Sequence, residues 1–164
     1  MKRRTALMLG GAMLALPALL LAQAPKSVRV GCLWAANESG VKSVREAFLA
    51  GMRDLGYVVG RNLLFDERYA EGDYTRLSTL ADKLIALKPD VLVAGAQGPA
   101  VVMKAKTATI PIVMMVSFDS VGAGLVQSLA RPGTNVTGMT TLLDVLVAKH
   151  VELLVEAVPR MSRV

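Results

Sequence analysis

Short apolar segments alternate with longer amphipathic ones along the sequence, and this alternation constrains the fold more than any other feature. The apolar segments are too short for helices, and turn-forming residues bound them, so we predict buried strands at 27–34, 62–69, 91–94, 110–116 and 136–139. Alternating strands and helices are typical of a doubly wound α/β domain, and apolar strands indicate a parallel sheet covered on both faces. We therefore predict an α/β fold with a flavodoxin-like sheet of about five strands in the order 2-1-3-4-5.

The segments between the strands have helical spacing. Val41, Val44, Phe48, Met52 and Leu55 recur every three or four residues and form one helix face, with Gly56 placed as a left-handed cap. Further helices are predicted after the cap Asp73, from Gly98-Pro99 with the proline at the first helical position, over the small residues 122–130, and from Val147 to Val158 before Pro159.

The first 24 residues have the three parts of a secretory signal peptide. A positive stretch, Met1–Arg4, precedes the uncharged run 6–22, and Ala22-Gln-Ala24 offers small residues for cleavage. We expect residues 1–24 to be removed, with a cut after Ala22 as the alternative site, leaving a domain of residues 25–164 in the bacterial periplasm. The alternative is a membrane anchor, since the run lies at the short edge of a spanning helix. Contact with a membrane is expected only through this segment while it is uncleaved.

Charge and composition exclude several classes of function. Half of the formal charge of +6 comes from Lys2, Arg3 and Arg4, and the rest is spread along the chain, so no nucleic-acid partner is expected. Cys32 is the only cysteine and His150 the only histidine, which excludes a disulfide framework and a structural zinc site. We expect neither a metal nor a cofactor.

No motif indicates an enzyme. The sequence contains no phosphate-binding glycine motif, and His150 lies in the last helix, far in sequence from the loops that follow the strands. Cys32 lies in the middle of a strand. Asp66 and Glu67 point to opposite faces of a strand and make a poor catalytic pair, so we interpret these acidic residues as solvated surface charges.

Ligands of such sheets bind outside the carboxyl ends of the strands, which selects the loops 35–40, 70–73, 95–99 and 117–122. The segment 95–99 places backbone N–H groups at a helix N-terminus, where they can bind a carboxylate or form an ordinary turn. We predict that Gln97 and Gly98 hold a ligand carboxylate.

Other loop residues have two interpretations each. Asp119 can accept a hydrogen bond from a ligand ammonium group or cap the next helix. The rings of Trp34 and Phe118 can stack on a ligand or pack in the core. Asn37 offers a polar contact in the first loop. These four residues complete the predicted site.

Several motifs together resemble the substrate-binding proteins of ABC transporters, in particular their tryptophan/tyrosine-type group. The resemblance runs from about Val28 to the last residue. The matching segments are 48–57 (FLAGMRDLGY), 60–62 (GRN), 69–77 (YAEGDYTRL), 87–91 (LKPDV), 108–113 (ATIPIV) and 124–138 (GLVQSLARPGTNVTG).

This resemblance implies a type 1 periplasmic binding fold, in which two α/β lobes hold a small molecule such as an amino acid between them. It also implies a non-catalytic role, with a permease of the inner membrane as the partner. Asp119 matches the family pattern, whereas Gln97-Gly98 is a looser match. Family members continue beyond the motif at 158–164, so we expect residues 25–164 to be the first lobe, with the second lobe absent. An exported sensory input lobe or an enzyme on the same sheet remains the alternative.

Overall fold

The computed structural model describes residues 27–141 and 143–158. The predicted signal peptide at 1–24 and the predicted helix stop at Pro159 lie outside the described residues. The strands are β1 (Val28–Trp34), β2 (Leu63–Tyr69), β3 (Val91–Ala94), β4 (Ile112–Met114) and β5 (Val136–Gly138). The helices are α1 (Glu38–Asp54), α2 (Leu77–Ala86), α3 (Gln97–Lys106) and α4 (Leu143–Ala157), with a 3₁₀ turn at Tyr74–Arg76.

The five strands form one parallel sheet in the order β2-β1-β3-β4-β5. This confirms the predicted α/β class and the flavodoxin-like strand order. The order reverses between β1 and β3, so the chain leaves these two neighbouring strands toward opposite faces of the sheet. The reversal opens a crevice at their carboxyl ends, and it fixes the place where a ligand can approach the sheet.

Each face of the sheet has its own core. Right-handed crossovers place α1 on one face and α2 and α3 on the other. On the α2/α3 face, Leu33, Leu92 and Ile112 pack with Leu84 and Met103. On the α1 face, the smaller core centres on buried strand residues, with α1 side chains packed over them; the strand residues are Val30, Cys32, Trp34, Leu63 and Val93. Successive apolar residues of a strand therefore pack into two different cores, one on each face of the sheet.

The helix predicted at 122–130 is wrong, because this segment is a series of turns and bends. Gly124 adopts a left-handed φ of 66°, and the N–H groups of Leu125 and Val126 both donate to the Ser120 carbonyl instead of continuing a helical ladder. Leu125 and Val126 are buried, so tertiary packing holds the segment. The small residues of the segment 122–130 have the spacing of a helix, but their side chains provide no interactions that would stabilise one.

Smaller differences concern the ends of elements. Pro99 is the third residue of α3, which begins at Gln97, and not the first as predicted. It still lies in the first turn, where a missing N–H breaks no helical hydrogen bond. Asp73 caps the 3₁₀ turn that leads into α2: its carboxylate accepts from the Thr75 hydroxyl and N–H, and these bonds lower the pKa of Asp73. Gly56 has a left-handed φ of 87° after α1, as expected.

Within the described ranges, none of the helices combines the length and the apolar character that crossing a membrane requires.

Candidate ligand-binding site

The loops that follow β1, β3 and β4 meet at the carboxyl edge of the sheet, as the topology requires. The N-terminus of α3 lies between the other two loops. The predicted site residues Trp34, Asn37, Gln97, Gly98 and Phe118, together with Asp119, all lie in these three loops or in the strand end and helix start that flank them. Their surroundings differ, and the differences decide what each can contribute.

Trp34, the last residue of β1, is only 1% exposed. Its Nε1 donates to Glu67 Oε1 over 3.0 Å, and its ring lies so close to Gly95 that a Cβ there would be 2.9 Å from Cζ3. The ring therefore has no exposed surface on which a ligand could stack, and the interpretation of Trp34 as a core residue fits the geometry. Trp34 supports the loop after β3 from below, and Gly95 is glycine because a side chain would displace this ring.

Gln97 joins the loop after β3 to the loop after β4. Its Oε1 accepts from Ser117 Oγ at 2.8 Å and from the backbone N–H groups of Phe118 and Asp119 at 3.1 and 3.3 Å. These three donors fix the amide orientation, with the oxygen toward the turn. Ser117 is completely buried. Gln97 thus holds the turn that carries Phe118, and only its NH₂ group is left to contact a ligand.

Two exposed aromatic side chains line a surface cavity of about 520 Å³ at the N-terminus of α3. Phe118 is 50% exposed and Tyr74 is 61% exposed. Gly98 lies beside the Tyr74 ring, where a Cβ would approach Cε1 to 2.8 Å. The remaining lining is uncharged and consists of Leu77, Ala96, Gln97, Val101 and Val102. This cavity can hold a flat apolar group next to free backbone N–H groups.

Sequence reasoning missed Tyr74. The residue follows the cap Asp73 and lies in the family-like segment 69–77, but neither signal assigns its side chain to a ligand. No signal in the sequence pairs Tyr74 with Gly98, because the two meet only when the turn before α2 packs beside α3.

Asp119 and Asn37 both cap local structure. Asp119 Oδ1 accepts from the Gly122 N–H over 2.7 Å, but it closes a turn and does not start a helix. Asn37 is the N-cap of α1, with Oδ1 accepting from the Gly40 N–H over 2.8 Å. Both side chains are exposed, so each also remains accessible to a ligand.

Glu67 is the centre of a hydrogen-bond network behind the first loop, and here the expectation of a solvated charge is wrong. Its side chain is only 11% exposed. The carboxylate accepts from Arg45 Nε at 2.7 Å and from Trp34 Nε1 and Tyr69 OH at 3.0 Å each. The β1–β2 register places Glu67 opposite Cys32. Burial, with a smaller effect of the Glu67 charge, raises the pKa of Cys32 well above its usual value, so the thiol stays protonated at neutral pH.

Tyr69 is expected to ionise late. Burial raises its pKa from 10.0 to about 12, and the hydrogen bond to Glu67 and the charge of Glu67 add to the effect. A raised pKa in the folded state means that the contribution of Tyr69 to stability is complete below pH 10 and is lost as the pH rises toward about 12. Titration of tyrosinate absorbance should show one step near pH 12 that is missing in Tyr69→Phe; a step of Tyr69 near pH 10 would contradict the network.

In the part of the chain that the structure describes, His, Cys, Asp and Glu side chains never gather in a group of three or more that could hold a metal ion.

Comparison with known proteins gives consistent results. Residues 29–164 match the model of the family described as ABC transporter substrate binding protein. A tyrosine-binding protein of Clostridioides difficile (strain R20291) is 29% identical over 139 residues, which is 85% of this chain and 40% of that protein.

Two solved structures are also similar. The ABC domain from Streptococcus pneumonia in complex with L-Trp has a TM-score of 0.65 and 27% identity, over 70% of this chain and 39% of that one. A conserved domain protein from Vibrio cholerae has a TM-score of 0.71 and 35% identity, over 82% of this chain and 45% of that one.

The chain spans less than half the length of each of these relatives. The family match, however, covers most of the chain, from β1 through the last strand and beyond, and it includes all three loops of the candidate site. The chain therefore belongs to the family of ABC transporter substrate binding proteins.

Proposed function

We propose that this chain forms one wall of a binding site for an amino acid with an aromatic side chain, and that it serves as the solute-binding component of an ABC importer. The observation that carries the proposal is the uncharged cavity in which Phe118 and Tyr74 lie beside the N-terminus of α3. Two relatives support it, since one is named for tyrosine and the other was solved with L-Trp.

The roles of the side chains follow from their positions. The free N–H groups at the start of α3, with the NH₂ group of Gln97, bind the ligand carboxylate. Phe118 and Tyr74 pack against the ligand side chain. Asp119 binds the ligand ammonium group, because Gly122 occupies only its Oδ1 and Oδ2 has no hydrogen-bond partner among the described residues.

An open wall of this kind holds a ligand weakly by itself. Binding sites for small molecules usually bury most of the ligand surface, whereas this cavity is open to solvent. We infer that residues 25–164 act as a first lobe and that tight binding requires a second lobe closing over the same edge of the sheet. Micromolar binding of an amino acid by this chain alone, measured by isothermal titration calorimetry, would contradict that inference.

The binding test uses amide chemical shifts, which report weak contacts. L-Trp and L-Tyr should shift the signals of Gly98 and Phe118 at much lower concentrations than L-Glu, which has the same carboxylate and ammonium groups but no ring to pack on Phe118 and Tyr74. Replacing either ring in Phe118→Ala or Tyr74→Ala should weaken L-Trp binding by roughly 1–2 kcal/mol, or about 5- to 30-fold. Asp119→Ala should cost roughly 1–3 kcal/mol if it pairs with the ammonium group.

Tyr57→Ala is the matched control. Tyr57 is also exposed but lies after α1, at the amino edge of the sheet, so its removal should leave L-Trp binding unchanged. Equal shifts with L-Trp and L-Glu, or equal losses in the control and the cavity variants, would exclude the cavity as the site.

We further propose that the segment 1–24 exports the chain to the periplasm and is then removed, so that the bound solute is delivered to a permease in the inner membrane. Cleavage after Ala24 would leave Pro25 as the first residue, and cleavage after Ala22 would leave Gln23. N-terminal sequencing of the exported protein distinguishes these from an uncleaved chain that begins at Met1.

A further inference from the structure

We propose that Gly98 is a positioning residue of the ligand site. Because Gly98 has no side chain, the ring of Tyr74 lies directly against the start of α3, at the short distance that an aromatic amino acid requires. The inference rests on the proposed function and adds to it the residue that gives the site its preference for aromatic over aliphatic side chains.

The Tyr74 ring occupies the space that a side chain at position 98 would need. A Cβ on Gly98 would lie 2.8 Å from Cε1 and 3.3 Å from Cδ1 of Tyr74, whereas its distance to Leu77 Cδ1 would be an ordinary 3.8 Å. Carbon atoms in van der Waals contact lie about 3.5–4.0 Å apart. The ring would therefore have to move away from α3 by roughly 1 Å to accept even a methyl group.

The backbone at position 98 does not itself require glycine. Gly98 is the second residue of α3, and it does not have the left-handed φ that is found at Gly124. Alanine stabilises a helix more than glycine does, so the local structure favours alanine at this position. The position of the Tyr74 ring is what favours glycine.

The two segments that meet at this contact are each fixed by other interactions. On the Tyr74 side, Asp73 caps the 3₁₀ turn, and Leu77, which follows the turn, is only 2% exposed. On the Gly98 side, the next residue, Pro99, is buried in the core. Because both backbones are held in place, a methyl group added at position 98 would displace the Tyr74 ring and not the helix.

The same residue lies where the ligand carboxylate is proposed to bind. Pro99 has no N–H, and the Ala100 N–H donates to the Ala96 carbonyl over 3.3 Å. The N–H groups of Gln97 and Gly98 are therefore the ones left for a carboxylate at the start of α3. In L-Trp, L-Tyr and L-Phe, a single CH₂ group links the ring to the α-carbon, so the carboxylate donors and the ring contact have to be close together.

A double-mutant cycle measures the coupling between Gly98 and Tyr74. Dissociation constants for L-Trp are determined from the amide signal of Phe118 in the unmodified chain, in Gly98→Ala, in Tyr74→Ala and in the double variant. Gly98→Ala alone should weaken L-Trp binding by roughly three- to tenfold, because the displaced ring no longer packs on the ligand. In the Tyr74→Ala background, the same substitution should change the affinity by about twofold at most, because the ring that it displaces is absent.

L-Leu separates this role from a simple block of the carboxylate donors. L-Leu has the same charged groups as L-Trp but no ring, so Gly98→Ala should leave its weak binding nearly unchanged. A methyl group that blocked the N–H groups would weaken both ligands equally. Urea denaturation should show that Gly98→Ala is at least as stable as the unmodified chain, since alanine is the better helix former.

Gly51→Ala is the matched control for binding. It adds a methyl group to α1 at a position with no neighbouring atom within 4 Å, so it should bind L-Trp as the unmodified chain does. Unchanged L-Trp binding in Gly98→Ala, additive losses in the double variant, or an equal loss for L-Leu would each overturn the role of Gly98. If the unmodified chain binds L-Trp no more tightly than L-Leu, the proposed function itself fails.

Discussion

Replacing Gly138 with alanine should destabilise the fold by roughly 2–5 kcal/mol, one of the two largest effects we expect from a single substitution. Gly138 ends β5 with a φ of 145°, which side chains rarely adopt. An added Cβ would lie 2.8 Å from the Met114 backbone nitrogen and closer still to the Met114 carbonyl oxygen. These are backbone atoms of the paired strand β4, so no side-chain movement can relieve the clash. Urea denaturation followed by the fluorescence of Trp34 measures the loss.

Gly51→Ala is the matched control for this substitution. Gly51 lies in α1, and a Cβ there would have no neighbour within 4 Å. Alanine in a helix is favoured over glycine by about 1 kcal/mol, so this variant should be slightly more stable. A Gly138→Ala variant that unfolds within about 1 kcal/mol of the original chain would show that β5 is not held in the described register.

Glu67→Ala should cost roughly 3 kcal/mol of folding free energy. The substitution removes the acceptor of three donors, and Trp34 Nε1, which belongs to a buried ring, is left without a partner. Because Trp34 supports Gly95, the loop after β3 should also loosen. Faster amide hydrogen exchange at Gly95 and Ala96, measured together with the unfolding free energy, would report both effects.

Asp66→Ala provides the comparison for Glu67. Asp66 is the preceding residue, its side chain is 30% exposed, and its ion pair with Arg29 is 3.7 Å long. Such a surface pair contributes at most about 1 kcal/mol, so Asp66→Ala should be nearly neutral. If Asp66→Ala and Glu67→Ala lower the free energy of unfolding by the same amount, Glu67 is a solvated surface charge, as the sequence predicted.

The position of the candidate site could be predicted from the sequence, but only some of the residues that form it could. Loops after parallel strands must meet at one edge of the sheet, and this rule is enough to bring Gln97, Gly98 and Phe118 together from the strand pattern alone. The contribution of Tyr74 required the packing of the turn before α2 against α3. The second role of Gln97, which holds the turn at 117–119, required the actual distance between two loops.

The acidic residues of β2 show which part of the sheet environment the sequence does not predict. The period of two along β2 correctly assigns Asp66 and Glu67 to opposite faces. It cannot tell which face is crowded, because this depends on Arg45 of α1 and on Trp34 of the neighbouring strand. Three donors from three elements make Glu67 a structural residue, and none of them is near it in sequence except Tyr69.

The sequence by itself determined the class of fold, the strand order and the family, because apolar periodicity, turn residues and motif spacing are local and survive without coordinates. Only the tertiary structure decided which side chains work together. It turned the segment 122–130 into a loop fixed by buried Leu125 and Val126, placed Trp34 in the core, and packed Tyr74 beside Gly98 at the start of α3. Those outcomes depend on distances between segments that are remote in sequence, and local preferences are too weak to set them.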